Sequence, residues 1–283
     1  MYTTVRLDDL KGRAIIMEWK KYAAAGMAAI LTATFVAGCG GDKQADKGTA
    51  AKRDKIVIGL DDNFPPFGFH DESGELVGFD IDMAKEASKR LGMEVEFKPI
   101  DWDSKEAALK SKQVDMLWNG LTITDERSQQ IAFSKPYMNN AQLLVVRADS
   151  PINDRAGLAG KVIGTQEGSS SIDALEKNAE FKDSLAEVKK YGDFVNAFMD
   201  LEIGRTDGIL VDSVVGRYYM AKKPGKFKVI DDKMGDEKFG VGMRKEDTLL
   251  QDKLNDVLKQ MSEDGTMTKL SQKWFNEDIT IKV

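Results

Sequence analysis

The chain has 283 residues, of which 42% are hydrophobic and 31% charged, and a formal net charge of −6. That length supports one large core or two ordinary ones, because single cores stop growing near ~250 to 300 residues, so two lobes are expected. Acidic and basic residues are interspersed, which leaves no basic footprint for nucleic acid.

The N-terminal stretch has the form of an export signal. Lys20 and Lys21 precede an apolar, small-residue run over 22–36, which ends in Val36-Ala37-Gly38-Cys39. The run is short for a membrane span and suits a signal-peptide core over residues 1–38. An aliphatic residue, two small residues and then cysteine form a bacterial lipobox, in which Cys39 is lipidated, with palmitate among its acyl chains, and becomes the new N-terminus. Cys39 is also the only cysteine, whereas exported proteins usually pair their cysteines or omit them. The basic pair lies just behind Met17, so Met17 is the expected start and residues 1–16 a mis-called extension. Residues 40–53, polar and without apolar period, read as a flexible tether.

From residue 54 strands alternate with helices. The run 56–60 reads as a buried strand, followed by a Gly/Pro/Phe-rich loop and a turn at 71–74. Asp80 is expected to cap a helix with Ile81, Ala84, Ala87 and Leu91 on its apolar face and Gly92 as its C-terminal stop. Strands at 95–97 and 114–118 flank a helix near 105–111. The apolar run 143–146 is long enough to pass from one core to another. The second half repeats the style with a strand at 161–165, a helix from Ser169, a helix at 193–203 ended by Gly204, a strand at 208–211 and a helix at 213–220. Alternation throughout makes the class α/β.

The C-terminal stretch holds a strand at 239–243 and amphipathic helices at 248–262 and 266–275. Some 45 residues make a poor independent core, so this piece is expected to return to the first lobe, with chain crossings near Ala141 and Glu237 acting as a two-strand hinge.

Two isolated charges stand out. Arg127 lies just inside a helix start capped by Thr124, and Asp212 ends an apolar strand. A fixed cation and a fixed anion are what a free amino acid needs for its carboxylate and its ammonium. Alone, Arg127 reads more readily as a solvated surface charge, and Asp212 also reads as a helix cap before 213–220, a role compatible with holding an ammonium because each oxygen can serve one of them.

The motifs Phe64-Pro65-Pro66-Phe67, Gly78-Phe79-Asp80-Ile81-Asp82-Met83-Ala84, Leu121-Thr122-Ile123-Thr124-Asp125-Glu126-Arg127, Phe133-Ser134-Lys135-Pro136-Tyr137, Gly168-Ser169-Ser170, Gly204-Arg205-Thr206-Asp207-Gly208 and Gly240-Val241-Gly242-Met243-Arg244-Lys245 occur in this order. Together they resemble the polar amino-acid-binding proteins of bacterial ATP-binding cassette importers, extracellular solute-binding protein family 3. The resemblance covers nearly everything after Lys52. It implies a two-lobed periplasmic-binding-protein fold of type II, each lobe a mixed sheet flanked by helices, with lobe 1 formed by 54–141 plus 237–283 and lobe 2 by 142–236. It further implies a monomer that hands a polar amino acid to permease and ATPase subunits, held on the outer face of the cytoplasmic membrane by lipid on Cys39.

By the same resemblance Arg127, Thr122, Ser169 and Ser170 take the ligand carboxylate, and Asp212 takes its ammonium. A planar, bidentate guanidinium suits a carboxylate better than lysine would. Asp61, Phe64, Trp102, Asn119, Gly120 and Gln166 match positions that contact the ligand in the family. Phe64 and Trp102 read either as aromatic walls or as ordinary core. Asp61 favours a cationic or amide side chain and repels an acidic one. Trp118, Asn119 and Gln166 depart from the residues that many relatives carry.

Other chemistries have little support, and neither a cofactor nor a metal is expected. His70, the single histidine, lies in a predicted turn. Cys39 is committed to lipid, so no Cys/His cluster or cysteine nucleophile is available. Asp80/Asp82 and Asp101/Asp103 lack the further ligands of a calcium loop. Ser169-Ser170-Ser171 has no histidine partner. The rival reading is a cleft enzyme on the same fold, such as a cyclohexadienyl dehydratase, with Glu167 as its acid.

Overall fold

In the computed structural model, which describes residues 54–283, the apolar runs assemble into two separate five-stranded sheets. The signal segment, Cys39 and the tether lie outside the described residues. The first half of the chain forms β1 (Lys55–Leu60), β2 (Asn63–Phe64), β3 (Gly68–His70), β4 (Leu76–Val77), α1 (Phe79–Leu91), β5 (Glu94–Pro99), a 3₁₀ turn at Trp102–Ser104, α2 (Lys105–Lys110), β6 (Met116–Leu117), α3 (Asp125–Gln130) and β7 (Ala132–Phe133). Then come β8 (Met138–Arg147), a 3₁₀ turn at Ala156–Leu158, β9 (Val162–Gln166), α4 (Ser170–Lys177), α5 (Ala179–Ser184), β10 (Glu187–Tyr191), α6 (Phe194–Glu202), β11 (Gly208–Asp212), α7 (Ser213–Lys222) and β12 (Phe227–Phe239). The chain ends with β13 (Gly242–Met243), α8 (Thr248–Glu263) and α9 (Thr266–Phe275).

The first sheet has the order β5-β1-β6-β13-β7, parallel except at β13. The second has the order β10-β9-β11-β8-β12, parallel at β10-β9-β11 and antiparallel beyond. Both are mixed sheets flanked by helices, the two-lobed α/β fold expected. Strands buried on both faces lose the alternation that marks a half-exposed strand, which is why 56–60 of β1 and 143–146 of β8 read as near-continuous apolar runs.

Chain return to the first sheet has a plain physical cause. Gly242 and Met243 sit between β6 and β7, and Leu254, Leu258 and Met261 of α8 are buried against the core that α1 covers. The sheets are joined where β8 and β12 pair antiparallel, with Glu237 opposite Asn140 and Phe239 opposite Met138.

Three local expectations are corrected. Asp80 does not cap α1: Gly78 stands at the cap, and Asp80 is a fully buried residue of the first turn whose Oδ2 accepts from Gly120 N at 2.6 Å and Tyr137 Oη at 2.8 Å. The segment after β1 is not only loop, because β2, β3 and β4 form a small antiparallel sheet. Strands of two or three residues are too short to show a period. His70 ends β3 rather than lying in the turn; its Nε2 is 3.1 Å from Asp62, and its pKa is raised by bonding to the Gly74 carbonyl and to Asp62. Gly92 does close α1, in the left-handed conformation at φ 69°.

Candidate functional site

Arg127 is aimed by its own helix start. Thr124 Oγ1 accepts from Arg127 N at 3.1 Å, which sets the first turn of α3 and turns the guanidinium inward. The side chain is buried, with Nη1 donating to Thr122 O at 3.0 Å and Nη2 to Gly168 O at 2.9 Å. Glu106 Oε1 lies 3.6 Å from Nε. The first carbonyl belongs to the lobe of the first sheet and the second to the loop between β9 and α4, so Arg127 spans the cleft.

Asp212 ends β11, whose residues are all buried. Antiparallel pairing sets it opposite Gln142 of β8, and its Oδ1 accepts from Gln142 Nε2 at 2.9 Å and from Asn140 Nδ2. The same two amides donate to Glu237 Oε2, at 3.0 and 2.8 Å. Thr122 Oγ1 and Ser170 Oγ also donate to that oxygen, at 3.0 and 3.2 Å. Two carboxylates thus share one set of donors. Burial first, and the neighbouring Glu237 second, push the Asp212 carboxyl up to about 8. Asp212 stands at the N-cap position of α7 but makes no side-chain capping bond, so the alternative capping role is not taken up.

Arg127 and Asp212 both line a cavity of about 10 Å³, together with Phe64, Trp102, Asn119, Gly120, Thr122, Gln166, Ser169 and Ser170. Roughly one water fills such a volume, so an amino acid enters only if the lobes part. Ser170 Oγ lies 3.0 Å from Thr122 Oγ1 across the cleft, and Ser169 Oγ donates back to Gln166 O at 2.7 Å. Gly120 holds φ at +57°, and a Cβ there would lie 2.9 Å from Phe64, so only glycine leaves the Phe64 ring in place.

At the far end Asp61 stands behind the lining. Its Oδ2 accepts from Gln166 Nε2 at 2.6 Å and its Oδ1 from Asn63 N at 2.9 Å, and burial raises its pKa to about 6. Asn119 Oδ1 accepts from Asp61 N at 3.1 Å. Phe64 stacks on Phe67 and tilts against Phe194, at centroid distances of 5.6 and 6.0 Å. Trp102 is buried at the cavity wall, whereas Trp118 packs inside the first core against Tyr137, 6.3 Å away, and is not a lining residue. Glu167 is exposed and faces Lys190 at 3.4 Å, outside the lining, which removes the acid that a cleft enzyme was expected to use.

Sequence reasoning missed Asn140, Gln142 and Glu237. A signal was present: Asn140 and Gln142 are amides two apart on one strand, hence on one face, and both are buried. A larger depression of about 680 Å³ opens behind the crossing strands, lined by Asn139, Asn140 and Glu237 among others, but it lacks Arg127 and Asp212. Among the described residues no group of three or more His, Cys, Asp or Glu side chains is placed to hold a metal ion, and no helix is long and apolar enough to cross a membrane.

Comparisons with known proteins match this geometry to a family. Residues 56–277 fit the model of the bacterial extracellular solute-binding proteins, family 3. The chain is 34% identical over 256 residues to the L-cystine-binding protein TcyJ of Escherichia coli K12, covering 89% of this chain and 95% of that protein. It is 31% identical to the arginine-binding extracellular protein ArtP of Bacillus subtilis 168, covering 90% and 98%. A crystal structure of an ABC uptake transporter substrate binding protein from Streptococcus pneumoniae with bound histidine superposes with a TM-score of 0.78 and 40% identity, over 81% of this chain and 95% of that one. The family model spans nearly four-fifths of the sequence, and the chain belongs to the bacterial extracellular solute-binding proteins, family 3.

Proposed function

We propose that this protein captures a free polar amino acid between its lobes, with a cationic or amide side chain favoured, and delivers it to the permease and ATPase subunits of an ABC importer. The observation that carries the reading is a buried guanidinium and a buried carboxyl, Arg127 and Asp212, lining one cavity. Lobe 1 consists of 54–141 with 237–283, lobe 2 of 142–236, and the monomer is held outside the cytoplasmic membrane by lipid on Cys39. Arg127, Thr122, Ser169 and Ser170 serve the ligand carboxylate, Asp212 its ammonium, and Asp61, Phe64, Trp102, Asn119, Gly120 and Gln166 its side chain. Relatives that bind cystine, arginine and histidine support a polar amino acid as the class.

A thermal-shift screen against the twenty amino acids, cystine and ornithine tests the reading. A ligand at about 100 times its dissociation constant adds ~2.7 kcal/mol of stability. Silence across the whole set would sink the proposal.

Asp61 is expected to set selectivity. As the acid nearest the far end of the cavity, it offers a cation both charge pairing and the aromatic faces of Phe64 and Trp102, whereas an amide gains hydrogen bonds alone. Arginine or lysine should bind more tightly than glutamine, and Asp61→Asn should narrow the gap. The pH dependence has a definite sign: the carboxyl titrates at about 6, so the preference holds above that pH and shrinks as pH falls through it. Calorimetry with arginine and glutamine at pH 5 and 7.5 decides the matter. An unchanged ratio would make Asp61 structural.

A further inference from the structure

The mouth of the cleft contains a second buried cation that takes no part in lining the ligand cavity. Lys105 opens α2, and only 3% of its side chain is exposed. Its Nζ donates to Trp102 O at 3.1 Å and to Gly168 O at 2.7 Å, with Glu106 Oε1 at 3.3 Å. Nζ also lies 5.3 Å from the Trp102 ring centroid, a cation–π contact that helps to hold the stem. Trp102 belongs to the same lobe as Lys105, but Gly168 belongs to the other. Since Arg127 Nη2 donates to the same Gly168 oxygen, two cations of lobe 1 grip one carbonyl of lobe 2.

This contact differs in kind from those around the ligand. Gly168 O is within reach of Lys105 only while the lobes are together, and parting them returns the ammonium to water. An interaction present in one state and absent from the other is what biases a two-state equilibrium. Six charged neighbours face the mouth: Asp103 and Glu106 from the Lys105 segment, Glu126 and Arg127 from α3, Asp173 from α4 and Lys190 from β10. Burial lowers the Lys105 pKa to about 8, with Arg127 adding to the fall and Glu106 opposing it.

We infer that Lys105 is a latch on the closed cleft, a positioning residue that ties Gly168 of lobe 2 to lobe 1 and slows ligand release without reading the ligand. The inference rests on the proposed amino-acid-binding function. Its test is stopped-flow binding by the full chain with L-arginine, L-glutamine, L-histidine and L-cystine as probes. For any probe that binds, Lys105→Met should raise the dissociation rate ~10-fold, the scale of one charge-assisted hydrogen bond. The association rate should stay within about threefold, and the ranking of probes should not change. Lys105→Gln is read in the same way should the methionine variant not fold. An unchanged dissociation rate, an effect confined to association, or a reordered ranking overturns the latch. Binding of none of the four probes by the parent instead overturns the amino-acid reading, and the latch with it.

Discussion

Asp212→Ala is expected to weaken amino-acid binding by ~3 to 5 kcal/mol, about two to four decades in Kd. Asp212 is 3% exposed and ends a fully buried strand. With the carboxylate gone, the ligand ammonium closes into a dry site with no fixed counter-charge, while Asn140 and Gln142 lose the acceptor they share with Glu237. Arg127→Ala should do similar harm from the other side, since it leaves the ligand carboxylate unpaired. Isothermal calorimetry on both variants is the check. Either one within threefold of the parent would overturn the assignment of that residue.

Gly168→Ala is expected to cost about 100-fold in affinity, or ~2.7 kcal/mol, although position 168 presents only backbone. A Cβ there would lie 2.7 Å from Asp103 Cα and 3.1 Å from Asp103 N on the opposite lobe. Both are main-chain atoms of a 3₁₀ turn and cannot swing aside. The added methyl therefore acts as a wedge in the closing surface. The left-handed backbone, φ +69° at Gly168, adds a separate cost of ~1 to 2 kcal/mol to stability, which an alanine meets in open and closed states alike. Gly225→Ala separates the two effects, because Gly225 has φ +76° with nothing within 4 Å of a Cβ. It should lose stability but keep affinity. Small-angle scattering on Gly168→Ala should also show a larger radius of gyration than the parent at saturating ligand. Parent-like affinity in Gly168→Ala would mean that the cleft does not close on Gly168.

How far the site was legible depended on the kind of signal each residue left. Arg127 was readable because its cause is local: a threonine cap three residues upstream dictates the turn that buries it. Asp212 was readable because an acid at the end of an apolar strand is locally anomalous. Asp80 misled, since an acid before an apolar helical face has the look of a cap, whereas its partners Gly120 and Tyr137 are 40 and 57 residues away. Glu237 left no mark as a site residue, although a chain crossing was expected near it. It follows a run of mixed charge on β12, and its role arises only because β12 pairs with β8 and brings it opposite Asn140.

The sequence by itself determined the class and the alternation of elements, and it singled out Arg127 and Asp212 as candidates, because hydrophobic period, caps and glycine stops act within a few residues. Tertiary structure alone decided which of those charges meet. Strand register placed Gln142 beside Asp212, chain return placed β13 between β6 and β7, and closure of the lobes placed Lys105 and Arg127 on one carbonyl. Such pairings join residues tens of positions apart, and their energies depend on burial that no short window of sequence contains.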